Sequence, residues 1–219
     1  HASQSEIITS VLSSDMEKIA DTMEKIDTVA FELAINEIIH ARNIYVIGIR
    51  SCAPLAGFLS FYLNLMFGNV RNVQTSSMSE IFEQMIKLGP EDVVIGISFP
   101  RYSMRTLKVL EFANSRSAGI ITLTDSMHSP MNLYSSCNLL ARSDNISIVD
   151  SLVAPLSVIN ALVVALCMKR TDEVVNNLKT LEDMWADYQV YNTDEINLLN
   201  EDAIRSYPKE VYGESPDGR

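Results

Sequence analysis

Ile44-Tyr45-Val46-Ile47-Gly48-Ile49 and Val93-Val94-Ile95-Gly96-Ile97-Ser98 decide the fold. Each is a short, unbroken apolar run rich in β-branched residues, and neither alternates polar with apolar. Such runs read as strands covered on both faces, as in a parallel sheet. Ile120-Ile121-Thr122-Leu123-Thr124 is a third of the same kind, with weaker runs at residues 70–75 and 138–142. Between them, residues 54–67, 79–88 and 104–115 carry apolar side chains at helical spacing. Strand, helix, strand at intervals of about 20 to 30 residues predicts right-handed βαβ crossovers. The expected fold class is therefore α/β, a doubly wound parallel sheet of about five strands.

Working outward, residues 1–42 read as a helical connector. Ile8, Leu12, Met16, Ile19 and Met23 recur at three- and four-residue steps, predicting one or two amphipathic helices with a break at Ser14-Asp15. His1-Ala2-Ser3 reads as an expression scar. Residues 43–190 form the sheet domain, closed by a buried helix over 150–169 and an amphipathic one over 172–185. Residues 191–219 form a C-terminal extension or tail, whose polar end over 201–219, with Pro208, Gly213, Pro216 and Gly218, is expected to be mobile or to drape on a neighbour. The uncharged stretch 151–168 nears the length of a membrane span but contains Pro155, Ser157 and Asn160, so a core helix and no membrane is expected.

Charge narrows the function classes. The 219 residues carry 17 Lys and Arg against 28 Asp and Glu, a net charge of −11. That leaves no general electrostatic footprint for nucleic acid. Cys52, Cys137 and Cys167 and the three histidines have no metal-ligand spacing, so no metal is expected, and a reducing, cytoplasmic setting fits better than a disulfide framework. No Gly-x-Gly-x-x-Gly and no Gly-x-x-x-x-Gly-Lys-Ser/Thr occurs, so no nucleotide cofactor is expected.

Ligands of open α/β sheets bind beyond the carboxyl ends of the strands. The first strand runs into Gly48-Ile49-Arg50-Ser51-Cys52 and the third into Ser98-Phe99-Pro100-Arg101-Tyr102-Ser103, each just ahead of a helix. Hydroxyls, guanidinium groups and helix-start N–H groups there suit a phosphate or carboxylate. The expected ligand-binding residues are Arg50, Ser51, Ser98, Arg101, Tyr102 and Ser103, with Thr124 and Glu80 from the other two loops. Each has a plainer reading: Ser103, Ser77 and Ser129 as helix caps, Arg50 and Arg101 as partners of surface carboxylates, Cys52 as a buried thiol.

These segments, followed by Ile121-Thr122-Leu123-Thr124-Asp125 and Ser129-Pro130, resemble the SIS (sugar isomerase) domain. More narrowly, they resemble the effector domain of RpiR-type bacterial transcriptional regulators, and residues 5–42 resemble the connector of those proteins. The family commonly shows Gly-x-Gly-x-Ser after the first strand and Ser-x-Ser-Gly-x-Thr after the third. Here Arg50 stands for the second Gly, Cys52 for the Ser, Pro100-Arg101 for Ser-Gly and Ser103 for Thr. Ser98 and Ser103 match phosphate-contacting positions, whereas Pro100 removes a hydroxyl and an N–H.

The resemblance implies a ligand-sensing domain of a regulator, not an enzyme, that binds a phosphorylated sugar, and the gained Arg50 and Arg101 favour a more strongly anionic ligand such as a phosphorylated sugar acid. It implies that DNA is bound only through a helix-turn-helix absent from this sequence, while the N-terminal apolar stripe and the apolar helix over 150–169 predict a homodimer or higher homo-oligomer. The alternative is a sugar-phosphate isomerase of the same fold, for which Glu80 and His128 are the acid-base candidates. A purely structural oligomerisation module is a third reading.

Overall fold

The computed structural model describes residues 3–75, 77–146, 148–188, 190 and 204–205. The five expected strands form one parallel sheet: β1 (Ile44–Gly48), β2 (Val70–Asn72), β3 (Val93–Ile97), β4 (Gly119–Thr124) and β5 (Cys137–Leu140), in the order β2-β1-β3-β4-β5. Helices α1 (Gln4–Lys25) and α2 (Thr28–His40) precede it, α3 (Ala53–Met66), α4 (Met78–Gln84) and α5 (Met104–Ser115) connect strands, and α6 (Val153–Lys169) and α7 (Thr171–Asp187) follow.

The unbroken apolar runs are explained by two cores. Ile44, Val46, Ile95 and Ile121 point to one face, packed with α2, α3 and α6, while Tyr45, Ile47, Val94 and Ile120 point to the other, packed with α4 and α5. β1 and β3 alternate between the two cores, so every one of their positions is buried and no alternation shows in their sequence. In α6, Val158, Ile159, Leu162 and Leu166 are buried in the first core. Among the described residues no single helix is long and apolar enough to cross a membrane.

Four expectations are corrected. The N-terminal break falls at Ile26 and Asp27, not Ser14-Asp15. Asp27 caps α2 by accepting from the N–H groups of Val29 and Ala30, whereas Ser14 lies within α1 and accepts from Lys18 Nζ at 2.6 Å. The second strand stops at Asn72, and the fourth helix ends at Gln84 rather than continuing to Leu88. Asp150 does not open the long helix: it ends a two-stranded antiparallel hairpin, β6 (Asn145–Ile146) with β7 (Val149–Asp150), that precedes it. The extension over 191–219 lies outside the described residues apart from 204–205.

Candidate functional site

The crossover from β2 to β3 passes over β1, so the loops after β1 and β3 leave toward opposite faces of the sheet and open a crevice between them. Gly48 makes the first loop possible. A Cβ there would lie 2.4 Å from the Cys52 carbonyl oxygen, so only glycine lets the turn Arg50–Cys52 fold back over the strand end. Arg50 itself has φ 59°, the left-handed region. This is the position where the resembled family has glycine, and a side chain there is held at a cost of order 1 kcal/mol.

On the β3 side, buried Ser98 organises the loop by accepting the Ser103 N–H at 3.0 Å. Its hydroxyl proton has no acceptor among the described residues, and a hydroxyl always has one to give. Ser103 caps α5 by accepting from Thr106 N–H at 3.3 Å, and Tyr102 donates to Asp125 Oδ1 at 2.7 Å. Burial, with the neighbouring Asp125, pushes the Tyr102 phenol up, so it remains a neutral donor. α3 begins with no side-chain cap: the Ala53 N–H donates back to the Arg50 carbonyl, and Pro54 in the first turn has no N–H to offer.

Between the loops lies a cavity of about 640 Å³, within the usual range for a small-molecule site. Six expected residues line it: Arg50, Ser51, Ser98, Arg101, Tyr102 and Ser103. Arg105, Asn145 and Asp150 join them. Arg50, Arg101 and Arg105 are exposed, and among the described residues none has a carboxylate partner. The reading of Arg50 and Arg101 as surface ion pairs therefore fails there. Three guanidinium groups face one lining carboxylate, Asp150, in a chain of net charge −11. A comparable hollow of about 660 Å³ at the α6–α7 bend has its arginines spent: Arg170 pairs with Glu173 at 2.6 Å and Arg205 with Asp172 at 3.1 Å.

The remaining expected residues stand elsewhere. Thr124 is fully buried and donates to Ser129 Oγ at 2.9 Å, away from the cavity lining. Glu80 is exposed in the first turn of α4 and accepts from Thr75 Oγ1. His128 is exposed and its N–H donates to Ser126 Oγ at 3.1 Å. Ser129 is a cap, accepting from Met131 N–H at 3.2 Å, while Ser77 makes no cap bond. Cys52 is 4% exposed and burial pushes its thiol up, so it is no ready nucleophile.

One of the added residues carries a signal in the sequence. Arg105 is a cation in the first turn of α5, where the helix dipole disfavours it, and a bound anion would offset that cost. Asp150 was hidden by its reading as a helix start.

A model described as SIS domain matches residues 37–165. No curated protein matches the chain in sequence. Among solved structures, the sugar isomerase domain of an RpiR transcription factor from Sphaerobacter thermophilus is 26% identical, covering 80% of this chain and 97% of that one, with TM-score 0.73. The Vibrio vulnificus NanR protein complexed with ManNAc-6P is 16% identical over 84% of this chain and 70% of that one, with TM-score 0.73. Phosphoheptose isomerase GmhA from Neisseria gonorrhoeae is 13% identical over 75% of this chain and 99% of that one, with TM-score 0.63.

Proposed function

The chain belongs to the SIS domain family, and from that premise we propose that it is the ligand-sensing domain of an RpiR-type regulator, binding a phosphorylated sugar or sugar acid in the cavity between the β1 and β3 loops. The observation that carries this reading is the set of three guanidinium groups, Arg50, Arg101 and Arg105, that no carboxylate among the described residues pairs. A phosphate satisfies such groups bidentately. The Ser98 hydroxyl adds a neutral donor. The NanR structure, whose ligand is ManNAc-6P, supports a sugar phosphate as the class. With its net charge of −11 the domain reads the ligand and is not itself a DNA-binding surface.

The partner of the fold is a second copy. Ile8, Leu12, Met16 and Met23 along one side of α1 are 57 to 72% exposed, an apolar stripe of the kind that self-associates. Sedimentation at about 20 μM, a concentration that reports micromolar association, is expected to show a dimer or larger species, and monomer alone refutes it.

The isomerase reading has one observation in its favour: Asp150 is a carboxylate in the cavity lining, where a base would stand. Against it, neither Glu80 nor His128 lines the cavity. The deciding experiment incubates the protein with arabinose 5-phosphate, N-acetylmannosamine 6-phosphate, a phosphorylated sugar acid and inorganic phosphate. A rise in melting temperature with at least one sugar compound, without exchange of its carbon-bound proton in deuterated water, is the expected result. Catalytic exchange abolished in Asp150→Asn establishes the enzyme instead.

A further inference from the structure

Asp150 lines two cavities at once. On one side is the 640 Å³ site; on the other is a crevice of about 240 Å³ against α1, walled largely by apolar side chains such as Val11, Val149 and Leu152. The next residue, Ser151, is 7% exposed and donates its hydroxyl to Asp15 Oδ1 of α1 at 2.6 Å. The other end of the same segment is tied to the same helix: Arg142 pairs with Asp21 and with Glu17, and its N–H donates to Thr22 Oγ1 at 3.0 Å. The wall of the site is thus hung between two fastenings on α1, with open volume on both sides.

We propose that the Asp150–Ser151 step transmits occupancy of the site to α1, an inference that rests on the sugar-phosphate reading above. The three arginines draw a phosphate to the β1–β3 side, and Asp150, repelled by that charge, accepts from the hydroxyls of the uncharged end. A carboxylate that repels one part of a ligand and binds another has different energies in its two positions, the condition for a ligand to shift an equilibrium. Interiors without voids resist such shifts, whereas the crevice gives the wall somewhere to go. Displacement of Asp150 pulls Ser151 from Asp15 and frees residues 11–22 of α1, the helix that bears the exposed apolar stripe. By reciprocity, cutting the fastening must tighten ligand binding.

The test uses the full chain, its Asp15→Ala and Ser151→Ala variants, and the four probes named above; neither altered residue lines the site. For the probe that binds the wild type most tightly, Kd is expected to fall about 5-fold or more in both variants, the lower end of typical coupling. That probe is also expected to raise amide exchange in residues 11–22 of the wild type. Equal or weaker binding in the variants, or unchanged exchange in α1, overturns the coupling and leaves the site intact. If no probe binds, it is the sugar-phosphate reading that fails. The ligand-free proteins then decide the fastening: Asp15→Ala should raise exchange at residues 149–152, and no change there overturns the inference.

Discussion

The same two strands carry arginines at both ends, and the two ends use them in opposite ways. Ahead of β1, Arg42 holds Asp92, the residue ahead of β3, through Nε at 3.0 Å and Nη2 at 2.6 Å. Asn43 Nδ2 and the Gly89 N–H complete the set of donors to that carboxylate, which is fully buried. After β1 and β3, Arg50, Arg101 and Arg105 surround a cavity and are spent on nothing among the described residues. An arginine beside a strand thus carries no meaning by type alone. Its partner decides, and in a parallel sheet the amino-terminal end is closed by internal pairs while the carboxyl end is left to ligands.

The largest effect is expected at the closed end. Asp92→Ala leaves Arg42, Asn43 and the Gly89 N–H without their common acceptor, and should cost about 2 to 4 kcal/mol of stability. Burial alone would raise the Asp92 carboxyl, but Arg42, Asn43 and Gly89 outweigh it and hold it below the usual carboxylate range. A depressed folded value means that the stabilisation is fully present above pH of about 4, the ordinary carboxylate value, and drains away as pH falls through the lower folded one. Urea denaturation of wild type and Asp92→Asn should therefore show a gap at pH 7 that narrows below pH 4 (a pH of about the unperturbed pKa). Ligand affinity at the far end of the strands should not change; a loss there breaks the division between the ends.

Arg101→Ala should give the mirror image. Removing a charge-assisted contact is expected to weaken binding of the probe that stabilises the wild type by about 10- to 100-fold, or 1.5 to 3 kcal/mol. Stability without ligand should stay within about 0.5 kcal/mol, as for an exposed residue with no partner. Calorimetric titration and urea melts measure the two quantities on one sample. A variant that melts early but binds normally makes Arg101 a structural residue like Arg42.

How much of this was legible follows the same division. β1, β3 and β4 were plain because burial on both faces makes a run that nothing else of that length explains. Val70–Asn72, by contrast, is an edge strand with its residues half-buried or exposed, so its apolar signal faded and its end was misplaced. The Asn145–Asp150 hairpin has two residues per strand, too short for any period. With it went Asp150, whose role depends on a fold-back between β5 and α6. Six cavity residues were found because strand polarity places them. Thr124 is the last residue of β4, and its hydroxyl is consumed by Ser129, a partner no spacing rule predicts.

The smallest effect, and the one with the most pointed sign, belongs to Arg50. Its φ of 59° is a conformation that glycine adopts freely and a β-carbon resists, at a cost of roughly 1 to 2 kcal/mol. Glycine in turn loses about 0.5 to 1 kcal/mol more entropy on folding than a residue with a side chain. Arg50→Gly should therefore be neutral to stabilising by about 0.5 to 1 kcal/mol, which for a chain of this size is roughly 1 to 4 °C in Tm. The same substitution removes one of three cations from the cavity, so affinity for the probe should fall even as stability rises. Opposite signs in one variant mean that the arginine is held in a costly backbone position for the sake of the ligand. If Arg50→Gly instead destabilises the protein and leaves binding unchanged, then Arg50 is supporting the turn over Gly48, and the open end of the sheet is one cation poorer than the comparison of the two ends requires.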